Sequence, residues 1–194
     1  MSNGEQSPDP DASRLRSVLT EEFGSLHTRV RLMRRLSLLI PRGTGFRLRT
    51  QALRMTGWKI PRSTMFSEVP QWSGSGPIRT RLTIGEHGWI NVGCHFELND
   101  HIIIGDHCSL GHEVLIMTST HRVGSRGSRA GALFTAPVSI GAGAWIGARS
   151  TIFPGVTVGR GAIVSAGSVV TTDVPDNSVV AGAPASIVVK RLPG

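Results

Sequence analysis

From residue 84 to residue 170 the aliphatic side chains keep a step of six. Ile84, Ile90 and Phe96 lie six apart; after a slip of two residues Ile104, Leu110 and Ile116 resume the step, and Ile140, Ile146, Ile152, Val158, Val164 and Val170 continue it. Four residues after each anchor the side chain is usually small, as at Gly88, Cys94, Cys108, Thr120, Ala144, Ser150, Ala162 and Ser168, with Val114 and Val156 the bulkier members. Glycine often follows the anchor directly, at positions 85, 105, 111, 141, 147 and 159. A packed α-helix needs a period near 3.6, so helix is excluded here. An inward aliphatic residue, a small inward residue two positions before the next anchor, and glycine where the backbone turns are what a triangular coil of short parallel strands requires, three hexads to a turn. The expected fold is therefore all-β, a parallel β-helix over residues 78–181.

The register breaks once on a large scale. Ile116 and Ile140 are four hexads apart, and "RVGSRGSRAGALFT" offers no anchors between them, so residues 122–136 are expected to leave the prism as a projecting loop. His121 stands at the point of departure. A histidine held by a strand end under such a loop has fixed geometry and cover from water, which a flat solenoid face does not give.

Ahead of the hexads the spacing changes. Leu15, Val18, Leu19, Leu26, Val30, Met33, Leu36 and Ile40 recur every three to four residues, a helical pattern bent or divided by Gly24 and ended by Pro41. A second short helix is expected from Phe46 to Met55, followed by a turn in "TGWKIP". Residues 14–66 thus form a basic helical segment. Residues 1–13, rich in proline and small polar side chains, read as a disordered tail, and residues 182–194 as a C-terminal tail.

Composition sharpens this picture. The 194 residues include 24 glycines and no tyrosine, in keeping with a turn-rich β architecture rather than a helical bundle. The two cysteines, Cys94 and Cys108, both fall in the small inward slot and are read as buried small hydrophobes without chemistry. No apolar run approaches the length of a membrane span, and the polar, acidic start lacks the pattern of a secretory signal, so the expected compartment is the cytoplasm. The net charge of +8 is concentrated: between Glu22 and Glu68 there is no acidic residue, while nine arginines and Lys59 fall in that window. Such a cluster suits a solvated or subunit-packing arm, or peripheral contact with the anionic inner face of a membrane; without interleaved aromatics it does not suggest nucleic acid.

The run "IGAGAWIGARSTIFPGVTVGRGAIVSAGSVVTTDVPDNSVVAGAPASIVVKR", residues 140–191, resembles the hexapeptide-repeat acyltransferases, and most of all the maltose, galactoside and colanic acid type of O-acetyltransferase. The likeness covers residues 80–191. It implies a left-handed parallel β-helix, a homotrimer, and transfer of an acyl group from acetyl-CoA or another short acyl-CoA to a hydroxyl of a sugar or glycan, with no metal. It carries the general base onto His121 and the acceptor-binding positions onto Asn91 and Asn99. Coenzyme contacts are carried onto Trp145, Ala148, Ala166, Thr171 and Thr172, with Lys190 and Arg191 placed to face the nucleotide phosphates. The chain departs from the family pattern in three places. Thr172 stands where a lysine is usual, Ser186 where a basic residue is usual, and Ala132 or its neighbours where a glutamate commonly orients the histidine.

A catalytic imidazole is chemically apt for this reaction. Its ordinary pKa near 6.5 leaves it ready to take a proton at neutral pH, and neither cysteine is placed to act as a nucleophile, so direct transfer is expected. The alternatives are N-acylation of an amino sugar, a non-catalytic binding solenoid, and, less favoured, a zinc carbonic anhydrase-like protein built on His107 and His112. Met117 stands where that last reading needs a third histidine.

Overall fold

The computed structural model describes residues 28–37, 39–41 and 44–192; the expected N-terminal tail and the first part of the helical segment lie outside them. Two helices, α1 (Thr28–Ser37) and α2 (Phe46–Met55), precede a parallel β-solenoid. α2 has the bounds the apolar spacing sets, and α1 occupies the end of the longer stretch expected as helix.

The anchors become three stacked columns. On the first face Phe66, Ile90, Leu110, Ile146, Val164 and Val180 pair in register up the coil. On the second, Trp72, Phe96, Ile116, Ile152 and Val170 do so. On the third, Ile84, Ile104, Ile140 and Val158 align, and an isolated bridge extends the column to Val174. Within the three faces the pairings are parallel except at the end of the first, where Ala185–Val189, within the segment expected as a tail, folds back antiparallel on Val179–Gly182. From Ile84 onward no anchor is more than 4% exposed. The small slots at Cys94, Cys108, Val114, Ala144, Ser150, Ala162 and Ser168 are fully buried beside them. Thr120 departs from this rule: it is half-buried, and Thr118 and Ser119 turn inward instead, because the chain leaves the prism at that point.

The glycine after each anchor has a different cause from the turn expected for it. Gly105 does not adopt a positive φ; a Cβ there would sit 2.6 Å from the Ala142 nitrogen of the next coil, so it is the close approach of successive coils that excludes a side chain. The left-handed residue of each corner comes two positions later. It is His87, His107, Glu113, Arg149 or Asn177 as often as glycine, with φ between 53 and 60°.

Extra residues collect at one edge. From the second-face column to the third-face column the chain needs six residues between Ile152 and Val158, but takes twelve from Trp72 to Ile84, eight from Phe96 to Ile104 and 24 from Ile116 to Ile140. The two-residue slip and the large break in register therefore lie one above the other. The largest insertion is not an irregular loop but an antiparallel hairpin, Ser119–Val123 paired with Ala130–Thr135, with a bulge between Ala130 and Leu133.

The helices close the lower end. Leu53 of α2 is fully buried and joins Trp58, Ile60, Phe66 and Val69 in the same core as the solenoid. Trp58 packs on Trp72 at 4.4 Å between ring centroids, and Phe46 on Trp89 of the first face at 5.0 Å. Arg49 is an exception to the solvated basic face: it is 1% exposed, and its guanidinium donates to the carbonyls of Thr44, Ile40 and Pro41. Burial lowers its pKa, while the hydrogen bonds hold the segment entering α2.

Candidate active site

His121 lies in the first strand of the hairpin, opposite Leu133. Its Nδ1 is 2.8 Å from the carbonyl oxygen of Gly131, in the bulge of the second strand. A carbonyl oxygen can only accept, so Nδ1 carries the proton and, in the neutral ring, Nε2 carries the free lone pair. The imidazole is thereby fixed in the tautomer that can take a proton through Nε2. Here a backbone carbonyl holds the ring where the resemblance implied a carboxylate. Gly131 suits that task, because a Cβ on it would come within 2.8 Å of the Arg122 carbonyl oxygen. Next to the histidine, Arg122 lies over the ring of Phe134 at 4.9 Å and ties the two strands together.

The root of the hairpin is held by Glu97, a residue the sequence pattern did not single out. One carboxylate oxygen accepts from the backbone N–H groups of Thr118 at 3.0 Å and Ser119 at 3.1 Å; the other accepts from the Ser119 hydroxyl and, at 2.8 Å, from the side-chain amide of Asn99. Thr118 Oγ1 donates to the Glu97 carbonyl and accepts from the N–H of Asp100. Four groups from two successive coils are thus locked around one carboxylate at the point where the hairpin begins.

Asn99 is part of this lock. Its amide nitrogen also approaches Ser119 Oγ at 3.1 Å, and its carbonyl oxygen accepts from the Ser75 N–H at 3.2 Å. Its polar atoms are therefore engaged in joining three coils at the loop-rich edge. Asn91 lies elsewhere, at the corner between the first and second faces, where its Oδ1 accepts from the N–H of Val92.

The positions carried over for the coenzyme divide in the same way. Ala148 and Ala166 occupy successive coils of the first-to-second corner, the Gly167 N–H donating to the Ala148 carbonyl at 2.8 Å. They share that edge with Asn91, and the small side chains leave it shallow. Trp145, 55% exposed, stands on the adjoining first face between Ser109 and Ile163. Thr171 and Thr172 are exposed at the second-to-third edge, the edge of the hairpin. Lys190 and Arg191 are exposed after the last strand. One chain therefore brings His121, Asn99, Thr171 and Thr172 to one edge of the prism and Asn91, Ala148 and Ala166 to another.

His107 and His112 do not converge. His107 stacks on His87 at 4.8 Å at the third-to-first corner, whereas His112 belongs to the first-to-second corner. Among the described residues no three histidine, cysteine or acidic side chains come together in a group able to hold a metal ion. Both cysteines are buried, their sulfurs against the carbonyl oxygens of Gly111 and Gly141, and burial raises the Cys94 pKa to about 11 and pushes Cys108 up as well.

Residues 137–172 match the family model described as the hexapeptide repeat of succinyl-transferase. Galactoside O-acetyltransferase of Escherichia coli is 31% identical over 126 residues, covering 55% of this chain and 62% of that protein. The solved maltose O-acetyltransferase of Clostridium difficile superposes over 95% of this chain and 90% of its own, with a TM-score of 0.69 and 26% identity. The chain thus shares the hexapeptide repeat over residues 137–172 and its coiled fold with acetyltransferases of this kind. A hexapeptide-repeat acetyltransferase of Vibrio cholerae, solved with acetyl coenzyme A, aligns over 84% of this chain and 88% of its own at a TM-score of 0.62 and 27% identity. The chain spans about half to three-fifths of the length of the first curated relatives it matches.

Proposed function

We propose that this chain is an acyl-CoA-dependent O-acyltransferase, with acetyl-CoA the simplest donor, acting on a hydroxyl of a sugar or glycan. The observation that carries the reading is the Nδ1–H of His121 given to the Gly131 carbonyl, which leaves Nε2 as a base at the edge of a hairpin held by Glu97. Bound acyl-CoA would supply the activated carbonyl as a thioester. His121 Nε2 takes the proton of the acceptor hydroxyl as its oxygen bonds to that carbonyl carbon. The same proton passes to the sulfur as the C–S bond breaks, so that the acyl ester and free thiol leave and the imidazole returns to its starting state. No covalent intermediate on the protein is required, and the two buried thiols have no part in it.

The coenzyme fits the shallow, small-residue edge at Ala148 and Ala166, with Trp145 beside it, Thr171 and Thr172 lining its course, and Lys190 and Arg191 meeting its phosphates. Asn91 and Asn99 bind the acceptor, Asn99 through whatever capacity its three partners leave. Because these groups lie on two edges of one prism, a complete site needs two chains. A homotrimer meets that need, and Val123 and Leu133 of the hairpin, exposed apolar residues, are suited to an interface. Residues 78–181 form the catalytic unit, and residues 14–66 are its N-terminal basic segment. No described helix is long and apolar enough to cross a membrane; we place the enzyme in the cytoplasm, in reach of the membrane's inner face through its basic segment.

The test is release of free thiol from acetyl-CoA in the presence of a panel of sugars, amino sugars and oligosaccharides. Acceptor-dependent release with an ester product is expected. An amide product would move the assignment to N-acylation, and silence across donors and acceptors would leave a binding solenoid.

A further inference from the structure

Between α2 and the lower coils is an open cleft of about 650 Å³ that none of the groups above uses. Its walls come from three places in the chain. Arg47, Leu48 and Gln51 face it from α2, Arg62 and Ser63 from the turn before the first strand, and His87 from the third-to-first corner. This edge of the prism bears neither the hairpin nor the small-residue column, so the cleft is separate from the proposed transfer site.

We propose that the cleft binds the phosphate group of a phosphate ester. Both arginines are exposed, and among the described residues neither has an acidic partner. The carboxylate paired at this rim is that of Glu86, 3.8 Å from His87 Nε2. Ser63 Oγ accepts the backbone N–H of His87 at 3.1 Å, which leaves its own proton to donate outward. The His87 ring is held by its stack on His107. Two guanidinium forks, a hydroxyl, a side-chain amide and an imidazole converging on one cavity match the several oxygens of a phosphate. The two guanidinium charges repel a metal cation, and the polar groups set among the apolar ones disfavour a purely apolar ligand. The volume exceeds that of a phosphate and falls in the range of sites for whole small molecules, so the phosphate is one end of a larger ligand. Leu48, 65% exposed, supplies an apolar contact at the rim. That ligand is either a soluble phosphate ester or an anionic lipid whose headgroup enters the cleft.

The inference stands independently of the acyl-transfer reading and is tested without it, by titration calorimetry of the full chain with inorganic pyrophosphate. Saturable binding is expected, weakening as salt rises and by about tenfold or more in the double variant Arg47→Gln, Arg62→Gln. Arg47→Lys, Arg62→Lys should lie between, with all three proteins melting alike. A parallel arm uses sedimentation with phosphatidylglycerol vesicles. Binding lost in the Gln variant and displaced by pyrophosphate assigns the phosphate to a lipid. Pyrophosphate binding without vesicle binding assigns it to a soluble ester. Absence of saturable pyrophosphate binding, or equal affinity in the native and double-Gln proteins, overturns the proposal.

Discussion

At Cys94 burial decides what a side chain can do. The thiol lies in the small inward slot, and loss of water around it raises its pKa from the ordinary 9.0 to about 11. The thiolate is thus less favourable in the folded chain than in the unfolded one, so the stability linked to this group is complete below pH 9 and is lost as pH rises from 9 toward 11. The loss amounts to roughly 3 kcal/mol from this group at the alkaline limit. Denaturant midpoints should hold level to about pH 9 and then fall, and Cys94→Ala should shallow that fall while keeping the fold, since alanine fills the same slot at positions 144 and 162. A native thiol that reacts freely with a disulfide reagent at pH 8 would contradict this. The slot was legible from its place four residues after Ile90. Glu97 was not, because a carboxylate on an outward strand position looks like any solvated one, and its partners Thr118 and Ser119 lie 21 and 22 residues away until the coil closes. The Gly131 carbonyl was equally hidden, a backbone group leaving no mark in sequence.

The hairpin is the element on which the proposed chemistry turns, and one carboxylate roots it. In Glu97→Gln the amide would turn donor against donor toward the Thr118 and Ser119 N–H groups or the Ser119 hydroxyl and Asn99 amide, leaving buried donors unsatisfied at a cost of about 1–3 kcal/mol. Because the anchors of the solenoid are untouched, that cost should appear locally. Amide exchange over residues 119–135 is expected to speed up by about tenfold or more and acyl transfer to slow by a similar factor, with coenzyme affinity little changed. Unchanged exchange in the hairpin would show that Glu97 does not hold it. The place of this element was readable from the lost anchors between Ile116 and Ile140. Its paired strands were not, since "RVGSRGSRAGALFT" has too many glycines and arginines to display a strand alternation, and the bulge at Gly131 further breaks the period.

Across the whole molecule the solenoid sorts polar groups by edge. Three short faces stack their anchors in register, and insertions gather at the second-to-third edge, where His121 is found; the first-to-second edge stays small and shallow at Ala148 and Ala166; the third bears the phosphate cleft. The hexad made the prism legible before any coordinate, because an aliphatic residue every sixth position satisfies no other regular structure. The basic segment was less so: charge alone does not separate Arg49, buried on three carbonyl oxygens, from Arg47 and Arg62, which remain free to meet a ligand. The proposed role of the His121 imidazole, held through Nδ1, is to remove the acceptor's proton. Its most direct test is acetyl-CoA turnover by His121→Ala with a competent sugar acceptor, measured beside coenzyme affinity. Turnover should fall by about 100- to 10,000-fold while affinity stays within a factor of about three; a variant that turns over at the native rate would contradict it.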